Sequence, residues 1–253
     1  MKLKTRVVPS AATQALRPKM WSLYQEYYQL DEAVFLQRFE VNQYYALYEV
    51  EGELVGFTAL RSREFESSRG KVMCIYIGQS CILQQYRNRS LIPQTCVSLV
   101  ARSYRQNPLR PIYLWCDSLT YKPYLAFSKA TTYTYPSHKR ATPEHIQSLI
   151  NQLGTYYYGE KFNPGTGTVK KEVNIVNDPS AIIRPQDRQE PAIDFYARKN
   201  PHYLEGNGLI TITQASVDNF MYCAVRCLKK QLCIKKSPRP SKSISLNSSF
   251  SQP

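Results

Sequence analysis

The chain has 253 residues, 43% of them hydrophobic, and a formal net charge of +14 at pH 7. That apolar content suffices for one large domain or a domain with an appendage, and no apolar run approaches the ~18 residues of a membrane-spanning helix. Seven cysteines, an odd number scattered along the chain, give no disulfide framework; with no signal-peptide pattern at the start, a cytoplasmic protein in a reducing compartment is expected.

Residues 4–8 predict a short first strand. Ser10 stands where it would cap a helix carrying Leu16, Met20, Leu23, Tyr24 and Tyr27 on one face, and Asp31 is an acidic cap for a second helix reaching Phe39. Residues 44–50 and 53–60 read as two strands joined by Glu51 and Gly52, a hairpin signal. The stretch 71–83 is rich in β-branched and aromatic residues and broken once by Gly78, which predicts a buried strand with a bulge or splay near its middle. A polar loop with Arg87 and Arg89 follows. From Leu91 to Tyr104, Pro93 falls in the first turn and Val97, Val100 and Tyr104 at helical spacing, which predicts a helix. A strand, a basic loop and a helix start form a place to hold a phosphate, because the free amides and positive dipole end of the helix face the loop.

At these residues the chain resembles the GNAT N-acetyltransferases. Their acetyl-CoA loop reads Arg or Gln, two residues, Gly, any residue, Gly or Ala; here those positions fall on Arg87, Ser90 and Ile92. The order of elements (strand, two helices, a three-strand meander, the loop helix) is also that family's, over roughly residues 1–135. The resemblance implies an α/β (α+β) GNAT-like fold: a mixed, mostly antiparallel sheet with splayed fourth and fifth strands, flanked by helices, plus a C-terminal extension. It implies acetyl-CoA or another acyl-CoA as co-substrate and no metal. The backbone of Ile82 and Leu83 would pair with the pantetheine arm, and Arg87, Asn88, Arg89, Ser90 and Leu91 would hold the diphosphate.

Beyond the helix, residues 112–116 read as a short strand of the kind buried in a parallel pair. The family often follows its fifth strand with Asn, two residues, Ala, three residues, Tyr; the same spacing gives Asp117, Thr120 and Tyr124. The resemblance makes Tyr124, with Tyr121 as its rival, the acid that protonates the departing thiolate, a task suited to a phenol of pKa near 10. No carboxylate lies in 71–83, and Asp117, Glu49 and Glu53 are the nearest candidates for a base.

Residues 131–135 read as a strand, and Thr142 and Pro143 open a helix lined by Ile146, Leu149, Ile150 and Leu153 and closed by Gly154. Residues 156–167 then read as a loop, and 209–212 as a strand after a glycine-flanked turn. Tyr135-Pro136 and Asn200-Pro201 resemble features of uncharacterised bacterial GNAT-like proteins, in which this region elaborates the same domain. Three parts are expected: an acyl-CoA-binding core over 1–135, an extension over 136–235 forming the acceptor side or a lid, and a basic tail over 236–253. A last helix over 216–234 carries Phe220, Cys223, Ala224, Cys227 and Leu228 on one stripe, and its cysteines, with Cys233, read as buried apolar groups rather than metal ligands. No acid follows Asp218 while Arg226, Lys229, Lys230, Lys235, Lys236, Arg239 and Lys242 do, so the tail is expected to be disordered and able to touch nucleic acid or an anionic surface. The expected function is acyl transfer to an amine, on a small molecule or a protein. The alternatives are a silent scaffold with the same fold and a basic adaptor acting through the tail.

Overall fold

Short apolar stretches separated by turn residues build a mixed sheet flanked by helices. A computed structural model describes residues 3–87, 89–171, 175–176, 179–219, 221–222 and 225. Asn88, Phe220, Cys223, Ala224, Cys227, Leu228, Cys233 and the basic tail lie outside the described residues. The sheet has nine strands: β1 (Leu3–Pro9), β2 (Tyr44–Val50), β3 (Glu53–Ser67), β4 (Gly70–Ile82), β5 (Ile112–Ser118), β6 (Thr134–Tyr135), β7 (Phe162–Asn163), β8 (Thr168–Lys170) and β9 (Asn207–Gln214). Their spatial order is β1-β2-β3-β4-β5-β9-β8-β7, with β6 also on β9. Among these strands only β4 and β5 run parallel. The 136–214 stretch therefore supplies three strands to the same sheet, and β9 lies directly against β5.

The β2–β3 turn has φ of 53° at Glu51 and 88° at Gly52, the left-handed pair of a type I′ hairpin whose twist matches that of the strands. The faces are covered by α1 (Arg17–Gln25), α2 (Glu32–Val41), α3 (Leu91–Gln106), α4 (Tyr121–Ala130), α5 (Glu144–Tyr158) and α6 (Pro191–Lys199). Met20, Tyr24 and Phe35 pack on Tyr45, Leu47 and Phe57. On the other face of the same strands, Leu91 of α3 packs against Tyr48, Leu60 and Ile77. Leu149, Ile150 and Leu153 of α5 pack on Val72, Cys74, Tyr76 and Trp115. Alternation along β3 places Phe57 and Arg61 on one face, so α1, α2 and α5 share that face.

Several elements differ from the sequence expectation. Residues 10–16 form a 3-10 helix, and the Ser10 hydroxyl donates to the Phe39 carbonyl at 2.6 Å instead of capping. Gly154 does not end α5; it lies inside the helix at a point where the Phe162 ring packs so closely that a Cβ would fall 2.4 Å from it. The helix continues through the three tyrosines to Tyr158, and Gly159, at φ 53°, is its cap. Of the strand expected over 131–135 only the last two residues pair, and α4 and α6 were not signalled by the spacing of apolar residues. Asp31 does cap α2, accepting from the Ala33 amide at 2.8 Å.

Candidate functional site

β4 and β5 pair for four residues only, from Met73 opposite Ile112 to Tyr76 opposite Trp115. Beyond that rung β4 follows β3 to Ile82 while β5 follows β9 to Ser118, so a wedge opens between them. Within the wedge-lining part of β4 the register against β3 shifts: Ala59 faces Gly78 and Phe57 faces Cys81. Two residues, Gln79 and Ser80, thus stand opposite Thr58, and Gln79 takes a φ of 47°. This is the bulge signalled by the lone glycine, and a bulge leaves part of the ladder unpaired.

At the open end of β4 the chain makes one 3-10 turn, Gln84–Tyr86, and enters α3 through Ser90. Ser90 has φ 59° and ψ 28° and makes no side-chain cap; this left-handed conformation favours glycine, at the position where the GNAT loop keeps one. Ile92 packs inward on the cluster around Tyr48 and Leu60. The first turn of α3 contains no acid, so its amides present an unopposed positive dipole end.

The arginines are arranged differently from the expected diphosphate clamp. Arg87 Nε donates to the Ile82 carbonyl at 2.9 Å and its guanidinium stacks 4.4 Å from the Tyr27 ring. Arg89 lies over Tyr86 at 5.6 Å. The Leu83 amide donates to Val55 at 3.0 Å, which by alternation turns the peptide groups of Ile82 toward the wedge. Of the two residues expected to pair with pantetheine, Leu83 has its N–H in the ladder and Ile82 has its carbonyl held by Arg87.

Tyr121 and Tyr124 both sit on α4. Tyr124 is fully buried among Ala192, Tyr196, Tyr203 and Leu209, and its hydroxyl donates to the Pro136 carbonyl at 3.2 Å; burial pushes its pKa further above the ordinary phenol value. The Tyr121 hydroxyl donates to the Ser180 carbonyl at 3.4 Å. These contacts are with α6, β9 and the segments around Pro136, Ser180 and Tyr203, not with β4. Glu49 is paired with Arg6 on the β1–β2 edge, and Glu53 is exposed.

The structure instead assembles a polar knot on the α5 side of the wedge. Asp117 of β5 accepts from the Tyr76 hydroxyl of β4 at 2.8 Å, and also from Tyr158 of α5 and from the ammonium of Lys171. Arg61 of β3 stacks 4.0 Å from Tyr76, 4.2 Å from Tyr157 and 5.5 Å from Trp115. The Tyr76 ring folds over Gly78, where a Cβ would come within 2.1 Å of the phenol oxygen. Burial by itself raises the Asp117 carboxyl; the charge and hydrogen bond of Lys171, then Tyr158 and Arg61, outweigh it and hold the group below the usual aspartate range. Burial lowers Lys171, and the Asp117 charge opposes that shift. Tyr76 and Tyr158 are driven well above the ordinary phenol value, first by burial and then by the Asp117 charge, and so stay protonated donors. An ionised carboxylate with three donors and a depressed pKa is a poor proton acceptor. Asp117 therefore joins the two diverging strands rather than serving as a base. Its place at the end of an apolar strand was the available sequence signal, since a buried carboxylate demands partners. Tyr158 was hidden by the reading of Gly154 as a helix end.

Among the described residues no group of His, Cys, Asp and Glu is arranged to hold a metal ion, and no helix is long and apolar enough to cross a membrane. No family profile matches the chain, and no curated protein is similar to it in sequence. Three solved structures similar in part are distant. An acetyltransferase from Trypanosoma brucei is 16% identical over 56% of this chain and 98% of its own, with a TM-score of 0.37. A GNAT family acetyltransferase from Staphylococcus aureus is 17% identical over 45% of this chain and 86% of its own, at 0.33. A protein of unknown function from Enterococcus faecalis, described as a probable N-acyltransferase, is 12% identical over 53% of this chain and 33% of its own, at 0.39. Any functional reading rests on the chain's own geometry.

Proposed function

We propose that the chain binds an acyl-CoA in the wedge between β4 and β5 and transfers the acyl group to an amine. The observation that supports this reading is the parallel pair that separates after Tyr76 and Trp115, with a bulge on one side and the acid-free start of α3 at its mouth. An extended arm bearing amides fits between diverging strands, where peptide groups lack a strand partner, and a diphosphate fits at a helix N-terminus. On binding, Arg87 exchanges the neutral Ile82 carbonyl for the anionic diphosphate, so that both donor and acceptor are charged, and releases that carbonyl to the arm. The amine then attacks the thioester carbon, the C–N bond forms as the C–S bond breaks, and CoA departs as its thiolate; the amine's proton leaves through solvent, which also protonates the thiolate, because Asp117 is already saturated.

A second reading, a silent binding module of the same fold, is favoured by one observation: Asp117, the carboxylate beside the wedge, is already occupied by Tyr76, Tyr158 and Lys171. Two measurements separate the readings. Acetyl-CoA or CoA should raise the melting temperature, and Arg87→Ala with Arg89→Ala should remove that rise. Thiol release from acetyl-CoA with a panel of amines should then be detectable. Stabilisation without thiol release selects the silent module; no stabilisation by either compound refutes both.

A further inference from the structure

A cavity of about 210 Å³ lies away from the wedge, between the 136–142 loop, the 163–167 turn, α5 and α6. It holds about seven waters' worth of space at the ~30 Å³ each occupies in the liquid, which suits a small metabolite. Its lining is polarised. Phe195 gives it an apolar side, with the buried Ile150 and Ile210 behind that ring; Thr142 and Thr166 bring hydroxyls, the latter paired with Thr168 Oγ1 at 2.7 Å; and the exposed Arg140 and Lys199 bring two positive charges, while no Asp or Glu lines it. Arg140 is held by stacking on the Tyr133 ring at 4.6 Å, which fixes the guanidinium plane and leaves its edge for hydrogen bonds. Neither the wedge nor the polar knot uses these residues.

We propose that this cavity binds a small molecule carrying a phosphate monoester. A phosphate monoester carries a charge of about −1.5 to −2 and three acceptor oxygens, which two cations and two hydroxyls match in charge and in number of donors. A carboxylate carries only about half to two-thirds of that charge, and the Phe195 ring receives a short carbon stem. The site is independent of acyl-CoA binding: it shares no residue with the loop before α3.

The test titrates inorganic phosphate and O-phospho-L-serine, with L-serine as control, into protein already carrying Arg87→Ala and Arg89→Ala, so that the α3 loop contributes no side-chain cation. Binding is read by calorimetry and by the shift in melting temperature. Saturable binding of phosphoserine and none of serine is expected. Comparable affinity for inorganic phosphate identifies the free ion as the source, and tighter binding of phosphoserine identifies an ester. Arg140→Ala with Lys199→Ala should weaken binding at least about tenfold, since the pair removes both charge-assisted contacts to the phosphate. Ala141→Trp, at an exposed rim position, should block the space without removing charge. No saturable binding of either phosphate probe overturns the proposal. So does unchanged affinity in the double variant or in Ala141→Trp, once their ligand-free melting temperatures show the fold intact.

Discussion

Replacing Asp117 by Asn tests whether the polar knot is what fastens the diverging strands together. The substitution keeps the shape and one acceptor oxygen for Tyr76 or Tyr158, but leaves Lys171, whose side chain is 16% exposed, without its counter-charge. Removing one member of a buried ion pair costs ~3–5 kcal/mol, and the retained acceptor places the loss near the lower end. In a chain of this size each kcal/mol shifts the melting temperature by about 2–4 °C, so about 3 kcal/mol becomes a fall of roughly 6–12 °C. Lys171→Met on top of it removes the stranded charge and should recover at least half the loss, a coupling above about 1 kcal/mol in a double-mutant cycle. The pH dependence follows from the depressed Asp117 pKa. Its folded value lies below the unfolded value of 3.8, so its stabilisation is complete above that pH and lost as pH falls through the folded value. Urea denaturation from neutral pH to pH ~3 should show the gap between wild type and Asp117→Asn closing below about pH 4. A loss under about 1 kcal/mol at neutral pH, or a strictly additive double variant, would refute the assignment.

Ser90→Gly should hold or raise stability by up to about 1 kcal/mol, whereas Ser90→Val should lose ~1–2 kcal/mol, because Ser90 has φ 59°; thermal melts of the pair check this. Gly78→Ala drives a methyl into the Tyr76 ring and should cost about 2–4 kcal/mol through crowding and the lost bond to Asp117; equal midpoints in urea would show that the ring moves freely. Tyr124→Phe removes a hydroxyl donated to Pro136 and should cost ~1 kcal/mol while leaving any thiol release unchanged; a fall in turnover at unchanged stability would return Tyr124 to the chemistry. Burial pushes the Cys74, Cys81 and Cys116 thiols up to about 12, so iodoacetamide at pH ~8 should leave them unmodified in the folded protein and label them after denaturation, as read by peptide mass spectrometry.

The sequence carried what short-range physics sets. The Glu51-Gly52 hairpin, the Asp31 cap, the bulge beside Gly78 and the proline-started α3 are all decided by residues within a few positions of one another. Contacts between distant parts of the chain decided the rest. Gly154 has the look of a helix end until Phe162, eight residues on, is seen pressing against it. Tyr124 matches a catalytic spacing, yet α6, more than sixty residues later, encloses it. Tyr76, Asp117, Tyr158 and Arg61 come from four separate elements and Lys171 from the residue after β8, and nothing local marks them as a group. Local conformational preference is written in neighbouring residues. A buried charge takes its partners from whichever strands and helices the folded core brings beside it, and that depends on packing of the whole chain.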